Sequence, residues 1–367
     1  MKKVLFVASI MGHFKAFHIP YIEYFKEKGY QVEAAGKPRE GLTICEIEHN
    51  IDFERQPFKV KNIDAYKKLK KLIQNGNYEI IHCHTPVAAM MTRLAARKVR
   101  KKGTRVIYTA HGFHFFKGAP LKNWLMYFPV EWFCSFLTDD LITINREDFA
   151  FAKKYLHAKH THYVPGVGVN VDKFKNAVVD RDKKREELGI PKDSIVLLSV
   201  GELSVRKNQR VIIEALSKVK NDRIYYLIAG RGGKKEELEQ LATKLQVKDN
   251  VILLGFRSDI AELCKTADIF CFPSFQEGLP VALMESMAAG LSCIASKIRG
   301  NTDLITDAEN GFLCNPTDAN GFAEKIQEFL KKPELHENFK NRNAEVIKNF
   351  ELDNVIEEMK KIYSEVR

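Results

Sequence analysis

Residues 273–296 read PSFQEGLPVALMESMAAGLSCIAS. Immediately before them, 268–272 form a short apolar run that predicts a buried strand. A Gly/Pro turn follows, then a helix opened by Pro280 and stopped at Gly290, then a second strand over 291–295. Strand, turn, helix and strand in that order make a parallel βαβ unit. Glu277 falls in the loop at the carboxyl end of the first strand, and Glu285 in the second turn of the helix. Open α/β sheets hold ligands at that end, and helix N-termini attract anions. A carboxylate accepts hydrogen bonds from two neighbouring hydroxyls, so a pair of them beside an anion site suits a sugar nucleotide. The small residues Ala288, Ala289 and Gly290 let the helix press against the sheet.

Outward from this unit the same alternation runs in both directions. Strands are expected at 195–200, 224–229 and 251–254 in the second half, and at 4–8, 32–35, 80–82, 106–109 and 141–144 in the first. Helical patterns lie between them, near 17–28, 63–75, 86–101, 121–138 and 146–157, and the chain reads as helical after Pro333. Residues 172–193, DKFKNAVVDRDKKREELGIPKD, are polar and dense in charge and read as a linker. The expected class is α/β, with two Rossmann-like doubly wound domains, 1–174 and 175–350, and a cleft between them. A length of 367 residues with 45% hydrophobic content accommodates two cores.

Composition narrows the setting. No apolar run approaches the roughly 20 residues that cross a bilayer, and MKKVLFVASIMGH reads as a first strand rather than a signal peptide. Seven scattered cysteines, several in strand-like runs, indicate buried thiols in a reducing cytoplasm. Residues 1–174 carry a net charge of +12 and residues 175–367 carry −1. A one-sided basic domain implies an anionic partner, and no RNA- or DNA-binding motif accompanies it, which leaves an anionic membrane surface and excludes nucleic acid. Two segments fit that surface. RLAARKVRKKGTR (93–105) places seven basic residues on or after a helix, and 113–137 mixes Phe, Trp124, Trp132 and Tyr127 with Lys117 and Lys122. Each also reads as an ordinary helix, solvated in the first case and part of the core in the second.

Other constellations carry less. His82-Cys83-His84 puts two imidazoles on one strand face, but no third and fourth ligand stands near them in sequence, so no metal is expected. Asp180-Arg181-Asp182 lies in the charged stretch and reads as solvated. No GxGxxG follows the first strand, which argues against a dinucleotide oxidoreductase.

EGLPVALMESMAAG, residues 277–290, resembles the E-x7-E signature of family 4 retaining glycosyltransferases, which have the GT-B fold. The resemblance covers nearly the whole chain and is strongest from about 196 to 316. It implies that the last helix, 351–367, packs back on the first domain. It also implies roles. Glu285 would hold the ribose hydroxyls, while Glu277 and the amides of Gly278 and Leu279 would orient the donor sugar. Lys207 matches the lysine that grips the donor diphosphate. The arginine usual nearby is replaced by Glu202, and Arg206 would act in its stead. Phe256 and Arg257 fall where the family meets the nucleotide base, Gly12 in its glycine loop near the phosphates, and His111 beside the donor sugar. Glu277, His111 and Lys207 would be catalytic, with a UDP-sugar as co-substrate and no metal or other cofactor. The implied reaction transfers a hexose or N-acetylhexosamine with retention to a lipid-linked saccharide, in capsule or exopolysaccharide assembly, by a cytoplasmic enzyme peripheral to the inner membrane face. The alternative is a nucleotide-sugar 2-epimerase, which shares the GT-B architecture. A sugar-nucleotide sensor without catalysis is a third reading.

Overall fold

The computed structural model describes residues 1–38, 43–54, 56 and 59–365. Expectations that touch the remaining residues, including the last two of the 351–367 helix, lie outside the described residues. The chain forms two units, Met1–Val167 with Val355–Arg367, and Gly168–Asn354.

The first unit is built on a parallel sheet of seven strands: β1 (Lys3–Ile10), β2 (Gln31–Lys37), β3 (Ile47–Asn50), β4 (Ile80–His84), β5 (Arg105–Ala110), β6 (Asp140–Thr143) and β7 (His160–Tyr163). Their order is β3-β2-β1-β4-β5-β6-β7. The central strands are nearly continuous runs of buried apolar residues, as a sheet covered on both faces requires. One face carries Leu5, Val7, Ile81 and Cys83 against the helices Lys61–Asn75 and Pro86–Arg100. The other carries Val4, Phe6 and Ile107. Onto this second face fold Val355, Met359, Ile362 and Tyr363 of the last helix, Leu352–Ser364, which returns to the first unit as the resemblance implies.

The second unit has a parallel sheet of six strands: β8 (Ile195–Val200), β9 (Ile224–Ala229), β10 (Val251–Gly255), β11 (Ile269–Phe272), β12 (Ser292–Ser296) and β13 (Phe312–Cys314). The order is β10-β9-β8-β11-β12-β13. Both sheets are doubly wound, so the expected α/β class and the pair of Rossmann-like domains are present. The expected linker is not. Residues Val171–Lys175 and Arg181–Glu187 are helices capped by Asn170 and Asp180. Lys184 is buried against Asp259 and Glu262, Arg185 against Asp268, and Arg181 also pairs with Asp268. Of the charges in this stretch, Lys184 and Arg185 are buried in ion pairs, whereas Asp180, Arg181 and Asp182 are exposed.

Candidate active site

In the second unit the strand order reverses between β8 and β11, so the loops that leave these two strands meet at the switch point. The first loop, 201–209, approaches its neighbour by glycine. A Cβ on Gly230, which sits at φ +157, would fall 1.8 Å from the Gly201 carbonyl oxygen. The second loop, 273–280, is stitched to the first. The Phe275 amide donates to the Arg206 carbonyl (2.8 Å), and the Asn208 side chain donates to the carbonyls of Pro273 (3.0 Å) and Pro316 (2.7 Å). Asn208 does this from a left-handed conformation, φ 54, which asparagine tolerates better than most residues. On the far side Arg299 donates to the Glu277 carbonyl, and Gly300 packs so closely that a Cβ there would lie 2.2 Å from the Gly278 oxygen.

This scaffold brings Glu277 between two cations. Its Oε1 accepts from Lys207 Nζ at 2.8 Å and from Arg206 Nη1 at 2.9 Å. Among the described residues nothing bonds its Oε2. Lys207 is mostly covered beside the Phe272 ring, its Nζ 4.6 Å from the centroid. Burial pushes the ammonium below its usual range, and the Glu277 carboxylate opposes this. Glu285 stands one turn into the helix Val281–Ala288, with no ion pair among the described residues. Burial pushes its carboxyl up to about 7, with Lys173 pulling weakly the other way. The site thus combines two cations suited to a leaving phosphate with one paired and one unpaired carboxyl suited to hydroxyls.

The first unit reverses its order between β1 and β4, and histidines collect there. The short helix Gly12–Phe17 leaves β1 and supplies His13, with His18 just beyond it; β4 ends on His84, and His111 follows β5. His18 Nε2 lies 3.1 Å and His111 Nε2 3.4 Å from His84 Nδ1. The expectation that His82 and His84 lack further imidazoles nearby is overturned, because chain segments remote in sequence converge at the switch point. His82 itself is committed to Tyr363 Oη (2.7 Å) and Thr109 Oγ1 (2.8 Å). After His84, Thr85 holds a positive φ of 62, rare for a β-branched residue, fastened by hydrogen bonds to Ser9. Burial is the leading cause that lowers the His111 imidazole well below its usual range and His13 to about 4.

A family model described as "Glycosyl transferases group 1" matches residues 180–346, and one described as "Glycosyl transferase 4-like" matches residues 3–145. A putative glycosyltransferase, EpsD of Bacillus subtilis (strain 168), is 41% identical over 99% of this chain and 96% of its own length. The chain belongs to this glycosyltransferase family. The UDP-Gal:alpha-D-GlcNAc-diphosphoundecaprenol alpha-1,3-galactosyltransferase of Escherichia coli is 29% identical over 83% of this chain and 80% of its own. The crystal structure of Anabaena Alr3699/HepE in complex with UDP and glucose has the same fold, with a TM-score of 0.82 at 20% identity over the full length of both chains.

In this glycosyltransferase, Glu277, Lys207, Arg206, Gly278 and Leu279 occupy one loop pair. Glu285 stands on the helix that follows. Gly12 opens the helix after β1, beside the histidines. Arg257 is engaged by Asp259 (2.7 Å from Nε) and Glu187 (3.2 Å), while Phe256 is exposed under the Arg231 guanidinium. Glu202 is exposed beyond β8. Sequence reasoning missed Asn208, Arg299, His13 and His18. Asn208 has a detectable signal, an Asn directly after the Arg-Lys pair in a strand-to-helix turn. The histidines have none, because only the fold brings them together.

Proposed function

We propose that this glycosyltransferase moves a hexose or N-acetylhexosamine, with retention, from a UDP-sugar to a lipid-linked saccharide during capsule or exopolysaccharide assembly. The observation that carries the reading is the contact of Glu277 with Lys207 and Arg206 at the switch point, with Glu285 on the helix that leaves the same loop. Glu285 accepts from the ribose hydroxyls. Glu277 and the amides of Gly278 and Leu279 orient the donor sugar. Lys207, helped by Arg206, offsets charge growing on the diphosphate, the electrostatic form of catalysis. Retention follows when the acceptor attacks on the face from which the diphosphate departs and passes its proton to a phosphate oxygen. No protein nucleophile and no metal is required. The E. coli relative, named for a UDP-sugar donor and a diphosphoundecaprenol acceptor, supports both substrate classes.

Thermal melting against a panel of UDP- and GDP-sugars tests the donor: selective stabilisation by one UDP-sugar is expected, and stabilisation by GDP-sugars alone overturns the reading. Incubation of that UDP-sugar without acceptor separates an epimerase, which makes a new sugar nucleotide, from a transferase.

The acceptor reading draws on the first unit. Of the seven basic residues in 93–105, Arg93, Arg100 and Arg105 are paired with Glu131, Asp139 and Asp140, which leaves Arg97, Lys98, Lys101 and Lys102 exposed. The helix Leu121–Ser135 buries part of one face and exposes Leu121, Leu125, Trp132 and Phe133, with Phe136 just beyond it. Exposed aromatics beside cations suit the inner membrane face. Among the described residues no helix is long and apolar enough to cross a membrane. Cosedimentation with anionic vesicles at low salt and release at high salt are expected. Absence of low-salt binding refutes this part.

A further inference from the structure

We propose that the first unit carries a transition-metal site, for zinc or a similar ion, formed by His13, His18, His84 and His111. One donor nitrogen from each of the four rings lies within 4.8 Å of every other. Two edges of the cluster, 3.1 Å and 3.4 Å, both end on His84 Nδ1. Four nitrogens around a zinc ion at its usual bond length of 2.0–2.1 Å are about 3.3–3.4 Å apart, so these edges already have near-tetrahedral lengths. His13 has the most freedom to close the rest, being partly exposed on a six-residue helix.

Two ring Nε2 atoms converge on the single His84 Nδ1, and the His13 Nε2 is buried without a partner among the described residues, an arrangement that a shared cation satisfies. His84 Nδ1 can donate to only one of the two Nε2 atoms that face it. The Nδ1 of His18 is also buried and unpartnered among the described residues. A cation at the centre instead takes a lone pair from each ring. An all-imidazole set selects zinc, cobalt, nickel or copper over magnesium or calcium. His13 and His111 are partly exposed and provide the entry path. The other grouping in this unit, Asp140, His162 and Glu365, differs in kind: Asp140 is already held by Arg105 at 2.6 Å and by His162 at 2.9 Å.

The test is a Co2+ titration of the chelator-stripped full-length protein. One equivalent should bind and give the intense visible absorption of four-coordinate cobalt. Zn2+ should bleach it and raise the melting temperature. His13→Asn and His111→Asn, both at partly exposed positions, should each abolish the band, whereas His162→Asn should retain it. Only the weak spectrum of six-coordinate cobalt, or a band that survives both variants, or one lost with His162→Asn, overturns the site. If either cluster variant melts without a folded baseline, the other decides, and a wild type without the band refutes the proposal by itself. No sugar nucleotide enters these readouts, so an error in the donor assignment leaves them unaffected.

Discussion

Lys207 and Glu285 are both ionisable groups placed where charge is disfavoured, and they answer in opposite ways. Lys207 keeps a carboxylate partner, whereas Glu285 has none among the described residues and its carboxyl rises to about 7. Replacing Lys207 with Met removes the cation while keeping its length. The transfer rate should then fall about 10²–10³-fold, the typical effect of losing one electrostatic stabiliser, with a smaller change in UDP affinity; steady-state kinetics beside UDP titration checks the split. For Glu285 the sign follows from the raised value. Its neutral form is favoured in the folded state, so its contribution to stability is complete below the unfolded value near 4.5 and is lost as pH rises through about 7. Melting of the ligand-free enzyme should therefore decline from pH 5 to 8 more steeply than that of Glu285→Gln. UDP binding should run the other way, because ribose hydroxyls donate to the ionised carboxylate. Affinity should strengthen through pH 7 in the wild type and stay flat in Glu285→Gln. Calorimetric titration at several pH values checks both slopes.

Between elements, the clearest test is the buried ion pair that joins the helix Pro86–Arg100 to the helix Leu121–Ser135. Arg93, 1% exposed, bonds Glu131 twice, at 2.5 and 3.1 Å, and stacks over Tyr108. Removing one partner leaves a buried charge, so Arg93→Met or Glu131→Leu alone should cost about 3–5 kcal/mol, while the double variant should recover most of it. Denaturant unfolding of the four proteins gives the cycle. This pair also marks the limit of reading by element. Arg93 belongs to a basic run that reads as a solvated face, and only the facing Glu131 explains its burial. The long buried strands were legible because their apolar runs are continuous. β3 and β7 were not, since IEHN and HTHY are only partly buried at the sheet edges, nor was β13, which has three residues. The charged stretch before β8 misled for a related reason: periodicity cannot tell a charge facing water from one facing a partner.

For the whole molecule, the alternation of apolar strands and helices indicated both sheets, and the signature 277–290 indicated the acid pair through the family it resembles. The histidine cluster was invisible, since its members come from three segments spread over about a hundred residues. The last helix closes the first unit in a testable way. Tyr363 donates to His82 Nδ1 or accepts from it at 2.7 Å, and Arg105 bonds the carbonyls of Ile362 and Tyr363. Tyr363→Phe should leave the His82 Nδ1 without this bond and lower stability by about 1–3 kcal/mol. In differential scanning calorimetry the loss should appear in the first unit's transition only. A single transition shifted as a whole would instead mean that the units unfold together.

Because Val355–Arg367 completes a unit that starts at Met1, the intervening unit is in effect an insertion. On the ribosome the inserted part has all its strands well before the outer part receives its closing helix. Until that helix is made, the face holding Phe6 and Ile107 lacks part of its cover, so a nascent chain should engage holding chaperones at its amino-terminal half while its middle is already protease-resistant.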